Sequence, residues 1–175
     1  MEHRVEIPEV EVFDQRYERR YKLWNNRHNF SEAQKRWYDD NFEEQDAIKI
    51  VKDVKFYESE NIMAKMKLKK GEKDDVLFAF EQEVKEVVEH CALIEALGCK
   101  DLEQRHWNRI FARMDSSLQG MHTRDLTLTR MLQDNALEHQ EYIQEIAGLA
   151  KGEADLNRQM KVVKDRWAVR EFTVV

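Results

Sequence analysis

Turn-forming residues are scarce in this chain: one proline, Pro8, and five glycines in 175 residues. A β-rich fold of this length needs many tight turns, which glycine and proline normally supply, so their scarcity favours long helices. No Gly-Lys pair occurs anywhere, which excludes the loop that cradles nucleotide phosphates and then presents lysine and Ser or Thr to charge and magnesium. No cofactor is expected in this stretch. A signal peptide and an apolar run of about 18 residues are both missing, so neither secretion nor a membrane span is expected. The two cysteines, Cys91 and Cys99, come with no sign of an oxidising compartment and are read as reduced thiols, Cys91 as a small buried hydrophobe. A concentrated basic footprint is lacking too. The charges are interspersed, 29 basic against 35 acidic for a net of −6, which argues against nucleic-acid binding. Lys65 to Lys73 is the one basic stretch and reads as a solvated helix end.

What is present is polar and periodic. Apolar residues make up 42% and charged residues 37% of the chain, with a mean hydropathy of −0.80. Such a chain can bury one narrow stripe per helix but not a thick core. The expectation is an all-α, elongated bundle of about six to seven helices ending in a long C-terminal helix.

From Val10 to His28, the residues Phe13, Tyr17, Tyr21, Trp24 and His28 recur every three or four positions and share one helical face. The asparagines Asn25, Asn26 and Asn29 weaken that helix. Ser31 with Gln34 fits a capping box that restarts it, with Ala33 and Trp37 facing inward. Glu43 to Lys69 forms the next helix, with a stripe of Ala47, Ile50, Val51, Val54, Tyr57, Ile62 and Met66. After a polar turn at Gly71, the series Leu77, Phe80, Val84, Val87, Cys91 and Ile94 runs to Gly98, in a C-cap position. Asp101 with Gln104 offers a second capping box, opening a helix with Leu102, His106, Trp107, Ile110, Phe111 and Met114. Leu126 to Leu132 is at best a short helix.

The last helix, about Leu137 to Trp167, aligns Ile143, Ile146, Ala150, Leu156, Met160, Val163 and Trp167. Gly148 and Gly152 lie within it, either because a neighbour approaches closely or because the helix is locally weak. Phe172 to Val175 is β-prone and reads as a strand cut from its partners. The segments divide into a first helical subdomain, 10–98, a second, 101–169, and a truncated strand start, 171–175.

Catalytic and metal constellations are weak. Glu103 with His106 is a single Glu-x-x-His pair where a di-iron bundle uses two. His90, Cys91, Cys99 and His106 lack the close Cys-x-x-Cys spacing usual for zinc. Ser116 or Ser117 with His122 and Asp125 would crowd one loop without a scaffold for a triad. Catalytic, cofactor-binding and metal residues are therefore all expected to be absent.

One segment is more specific: Cys91-Ala92-Leu93-Ile94-Glu95-Ala96-Leu97-Gly98, followed by Asp101-Leu102-Glu103-Gln104-Arg105-His106-Trp107. It resembles the linker region of dynein heavy chains, in which an apolar run ends in Leu, turns, and re-enters a helix with Leu-x-x-Arg-His-Trp. Downstream, Ile146, Ala150, Glu153, Leu156, Met160, Val163 and Trp167 follow the family's long helix in order and register. Upstream, Leu23-Trp24 and Trp37 stand where the family has a Leu-Trp pair and a second tryptophan. Asn157 stands where the family usually has Glu, Gly152 lies inside the long helix, and Gly98-Cys99 replaces the commoner Asn-Pro.

The resemblance implies a fragment without enzymatic activity, from the tail-proximal part of the linker. ATP and magnesium would belong to the parent's AAA+ ring. The implied partners are the rest of the heavy chain, ring and tail. Through the parent complex they extend to intermediate and light chains and to microtubules, with no nucleic acid or membrane. The implied location is the cytoskeleton, and the upstream helices point to a ciliary or flagellar axoneme. Arg105, His106, Trp107, Trp24, Trp37 and Trp167 are the helix-packing signature. Arg105, His106 and Trp107 point in three directions, so they cannot serve one pocket. Trp107 is expected in the core with Ile110 and Phe111, and Arg105 against an acidic residue of a neighbouring helix. Two other readings stand beside this one: a free-standing adaptor that binds partner helices, and a helical enzyme using Glu103 and His106.

Overall fold

The computed structural model describes residues 8–168 other than 43, 70 and 122–124. The β-prone stretch 171–175 lies outside the described residues. Among the described residues six α-helices and the 3-10 turn Ala136–His139 follow in order: α1 Pro8–Asp39, α2 Ala47–Met66, α3 Asp75–Leu97, α4 Gln104–Met114, α5 Leu128–Gln133, that turn, and α6 Gln140–Ala168. The chain is an all-α bundle. The one β-type pairing among the described residues is an isolated bridge, Asn41 with Thr127.

The helix starts are made by side chains that the apolar pattern did not single out. Asp46 accepts from the Lys49 amide at the start of α2, and Asp74 accepts from the Val76 and Leu77 amides at the start of α3, taking up donors that a helix N-terminus leaves unpaired. The box expected at Ser31 does not form, because α1 runs unbroken for 32 residues through Asn25, Asn26 and Asn29. Packing overrides the weak propensity there. The box expected at Asp101 also shifts. Glu103 is the N-cap of α4, and its backbone N–H donates to His106 Nδ1 at 3.0 Å. Asp115 and Asn135 take left-handed conformations at helix boundaries, which Asp and Asn tolerate better than most residues.

α1 buries Leu23, Phe30 and Trp37, a seven-residue repeat, while Phe13, Tyr17, Tyr21 and Trp24 are exposed. The face read from the N-terminal aromatics is therefore the wrong one. Phe30 is fully buried and meets Trp37, Tyr57 and Phe80 edge-on at ring-centre distances of 5.7, 5.3 and 5.5 Å. That knot joins α1, α2 and α3. In α2, Ala47, Ile50 and Val54 are buried, but Ile62 and Met66 are not. In α3, Leu77, Phe80, Val84, Val87 and Ile94 lie in the core as expected, and the half-buried Cys91 packs against it. Gly98 is at φ −79°, an ordinary right-handed value. What requires glycine there is a close approach, since a Cβ would collide with the Cβ of Ala47.

α1 runs alongside α3 in the same sense, as the pairs Arg20–Asp74, Arg27–Glu83 and Tyr38–His90 show. α6 lies antiparallel to α4, pairing Tyr142 with Arg113 and Glu153 with His106. α1 spans about 48 Å and α2 about 30 Å at 1.5 Å per residue. The first turns of α1 therefore project past the start of α3, and the last turns of α6 past its other end. Ile143, Ile146 and Ala150 of α6 are buried, whereas Leu156, Met160, Val163 and Trp167 are exposed. Nothing lies within 4 Å of a Cβ built at Gly148 or Gly152. The close-neighbour explanation for these glycines is thus removed, and local weakness remains.

Candidate functional site

Of the signature residues, Arg105, His106 and Trp107 meet at the join between α4 and α6, whereas Trp37 lies against Phe30 within α1. α4 starts after Glu103, and successive side chains step about 100° around it. His106 is 2% exposed. Its Nδ1 accepts the Glu103 amide, so in the neutral ring the proton sits on Nε2 and is donated to Glu153 Oε2 at 3.2 Å. The Arg105 guanidinium reaches the same carboxylate oxygen at 2.6 Å, and its Nε bonds Glu103 Oε2 at 2.9 Å. Trp107 turns the other way into the core, stacked on Phe111 with ring centres 5.9 Å apart. At the far end of α4, the Arg113 guanidinium lies 5.8 Å from the ring centre of Tyr142. α4 is thus held to α6 at both ends, with Ile110, Phe111, Ile143, Ile146 and Ala147 buried between. Beyond the clamp, Arg158 of α6 reaches Asp101 at 3.8 Å.

A second polar pair fixes α1 to α3. Tyr38 Oη and His90 Nδ1 are 2.6 Å apart. Burial pushes the Tyr38 hydroxyl up to about 12 and holds the His90 imidazole below its ordinary value. Both groups are therefore neutral near pH 7, and the tyrosine donates.

The other candidate groups are engaged separately. Glu103 and His106 turn to Arg105 and Glu153. Cys91 Sγ bonds the Val87 carbonyl, and the buried Cys99 Sγ faces the Ala147 carbonyl at 3.9 Å. Among the described residues no three His, Cys, Asp or Glu side chains come together as a metal site. Ser116 Oγ donates to Asp134 and Ser117 Oγ to the same carboxylate at 3.4 Å, while His122 lies outside the described residues. Of the four tryptophans, Trp37 and Trp107 are buried, but Trp24 and Trp167 are 53% and 52% exposed. Trp24 and Trp167 therefore lie outside the core, with the Arg27 guanidinium 5.9 Å from the Trp24 ring centre. Phe30 was missed, although the spacing of Leu23, Phe30 and Trp37 could have shown it. The Tyr38–His90 pair left no signal in the sequence.

The model for dynein heavy chain, N-terminal region 2, matches residues 10–175. The chain belongs to the dynein heavy chain family. Human dynein axonemal heavy chain 6 is 34% identical to it over 92 residues, which is 53% of this chain and 2% of that protein. The chain thus spans about one-fiftieth of that relative's length. In this dynein heavy chain segment the Arg105-His106-Trp107 motif splits into a polar clamp on Glu153 and a core anchor. No helix among its described residues is long and apolar enough to cross a membrane.

Proposed function

We propose that this segment is a non-catalytic mechanical part of the dynein heavy chain linker, carrying ATP-driven movement of the AAA+ ring toward the tail in microtubule-based motility. The observation that carries this reading is the course of α6. One helix of 29 residues is clamped to the core by α4 over its first half and continues the same apolar stripe, uncovered, over its second. A strut works only if its helices do not slide, and close-packed interiors resist the volume change that sliding needs. The uncovered stripe supports further packing with the rest of the heavy chain. The axonemal relative favours a place in the ciliary or flagellar axoneme. Intermediate and light chains and microtubules would then be reached only through the parent.

The test is Glu153→Ala with Arg105→Ala in the full heavy chain. Loosening α4 from α6 should leave ATP turnover by the ring nearly intact while slowing microtubule gliding. Unchanged gliding at unchanged turnover would defeat the mechanical reading. A second reading, a free-standing adaptor, draws on the exposed Phe13, Tyr17 and Tyr21 of α1. Sedimentation separates the two. A linker piece should self-associate with rising concentration through its uncovered stripes, whereas an adaptor should stay monodisperse.

A further inference from the structure

The basic stretch Lys65 to Lys73, a solvated helix end by sequence, is brought by the fold against the first half of α1. Between them, at the α2–α3 turn, lies a cleft of about 140 Å³. Its floor is apolar, with Leu23, Met63, Ala64, Leu68 and Leu77, and its walls carry Arg16, Arg19, Arg20, Lys22 and Lys67. The acidic groups in the wall are already engaged: Arg20 pairs with Asp74 at 3.0 Å, Lys22 pairs with Glu60 at 2.5 Å, and Glu72 accepts the Lys69 amide at 3.0 Å. Arg16, Arg19 and Lys67 make no close ion pair among the described residues, although Lys67 lies near enough to Glu60 to favour its charged form. The guanidinium of Arg19 bonds only the Gln15 and Lys67 carbonyls. Asn61 also lines the cleft. It is 5% exposed, and its side-chain Nδ2 is buried with no acceptor. That nitrogen is closed to solvent, so it offers no contact to a molecule in the cleft, and the cations on the walls carry the recognition.

We propose that this cleft docks an acidic segment of a separate polypeptide, with carboxylates between Arg16, Arg19 and Lys67. An apolar side chain would rest on Leu23 and Leu77. A polypeptide fits better than a nucleic acid. The apolar floor suits a side chain, which a run of backbone phosphates does not supply.

The experiment uses the intact 175-residue chain and three fluorescein-labelled probes: a peptide of alternating Glu and Leu, its Gln-Leu counterpart, and a single-stranded oligonucleotide. Anisotropy should show the Glu-Leu peptide binding at least about tenfold more tightly than either of the others, which is about 1.4 kcal/mol. Arg16→Gln with Arg19→Gln, both exposed, should weaken that binding about tenfold and leave the melting temperature unchanged. Undiminished binding to the Arg16→Gln, Arg19→Gln chain would overturn the proposal. So would equal binding of the oligonucleotide, or no saturable binding of the Glu-Leu peptide.

Discussion

At the scale of single residues, two core positions set the tolerance of the fold. Trp107 is 4% exposed and stacked on Phe111. Trp107→Ala should cost roughly 3–5 kcal/mol of stability, read by denaturant unfolding, because the ring's transfer energy and the cavity it leaves add together. A change near zero would instead make it a partner-binding residue. Gly98 works in the opposite direction, by having no Cβ. Gly98→Ala drives a methyl into Ala47 and should cost about 1–3 kcal/mol, the range for overpacking a filled site. Ala47→Gly added to it should recover part of that loss, because it removes the colliding methyl. The recovery in the double variant is what tells a steric clash from a turn-conformation effect.

At the scale of an element, α6 is the least conventional helix. Gly148 and Gly152 both face solvent with nothing within 4 Å of a built Cβ. Glycine inside a helix is less favourable than alanine by about 1 kcal/mol. Replacing both by alanine should therefore raise stability by up to about 2 kcal/mol, the sum of two such differences. Thermal unfolding followed by circular dichroism checks this. A loss of stability would mean that the backbone there is approached by something outside the described chain. In the parent motor the same change tests whether a weak point in the helix serves bending. A linker that must flex there should move microtubules more slowly once it is stiffened.

At the scale of the whole molecule, the Tyr38–His90 pair ties the end of α1 to α3 and makes stability depend on pH. Burial holds the His90 imidazole below its ordinary value of 6.5. As pH falls through that ordinary value, the unfolded chain takes up a proton that the folded chain refuses. Stability should therefore decline from about pH 6.5 down to the depressed folded value and level off below it. On the alkaline side, the Tyr38 hydroxyl is raised from 10 to about 12. The unfolded chain loses that proton first, so stability should decline again between those values. Urea unfolding across pH, with His90→Gln as the control, should flatten the acidic limb and leave the alkaline one. An unchanged acidic limb in that variant would assign it to other groups.

Much of the architecture was legible in the order of residues alone. Few glycines, one proline and apolar positions at helical spacing are local properties, and they determined an all-helical chain, the course of α3 and α4, and the inward turn of Trp107. The stretch from Cys91 to Trp107 also carried the resemblance to the family, which the match over residues 10–175 then showed. What the sequence did not determine is which face of a long helix meets a neighbour. α1 carries two apolar stripes, Phe13-Tyr17-Tyr21-Trp24 and Leu23-Phe30-Trp37, and periodicity alone ranks the denser one first. The burial of the sparser stripe is decided by α2 and α3, which lie against that side only. The same holds for Leu156, Met160 and Val163, inward by pattern yet exposed because α6 outruns its neighbours. Tertiary structure alone joined Arg105 and His106 to Glu153, Tyr38 to His90, and two basic stretches into one cleft. Those pairings depend on where chain segments distant in sequence come to lie, and hydrophobic period carries no information about that.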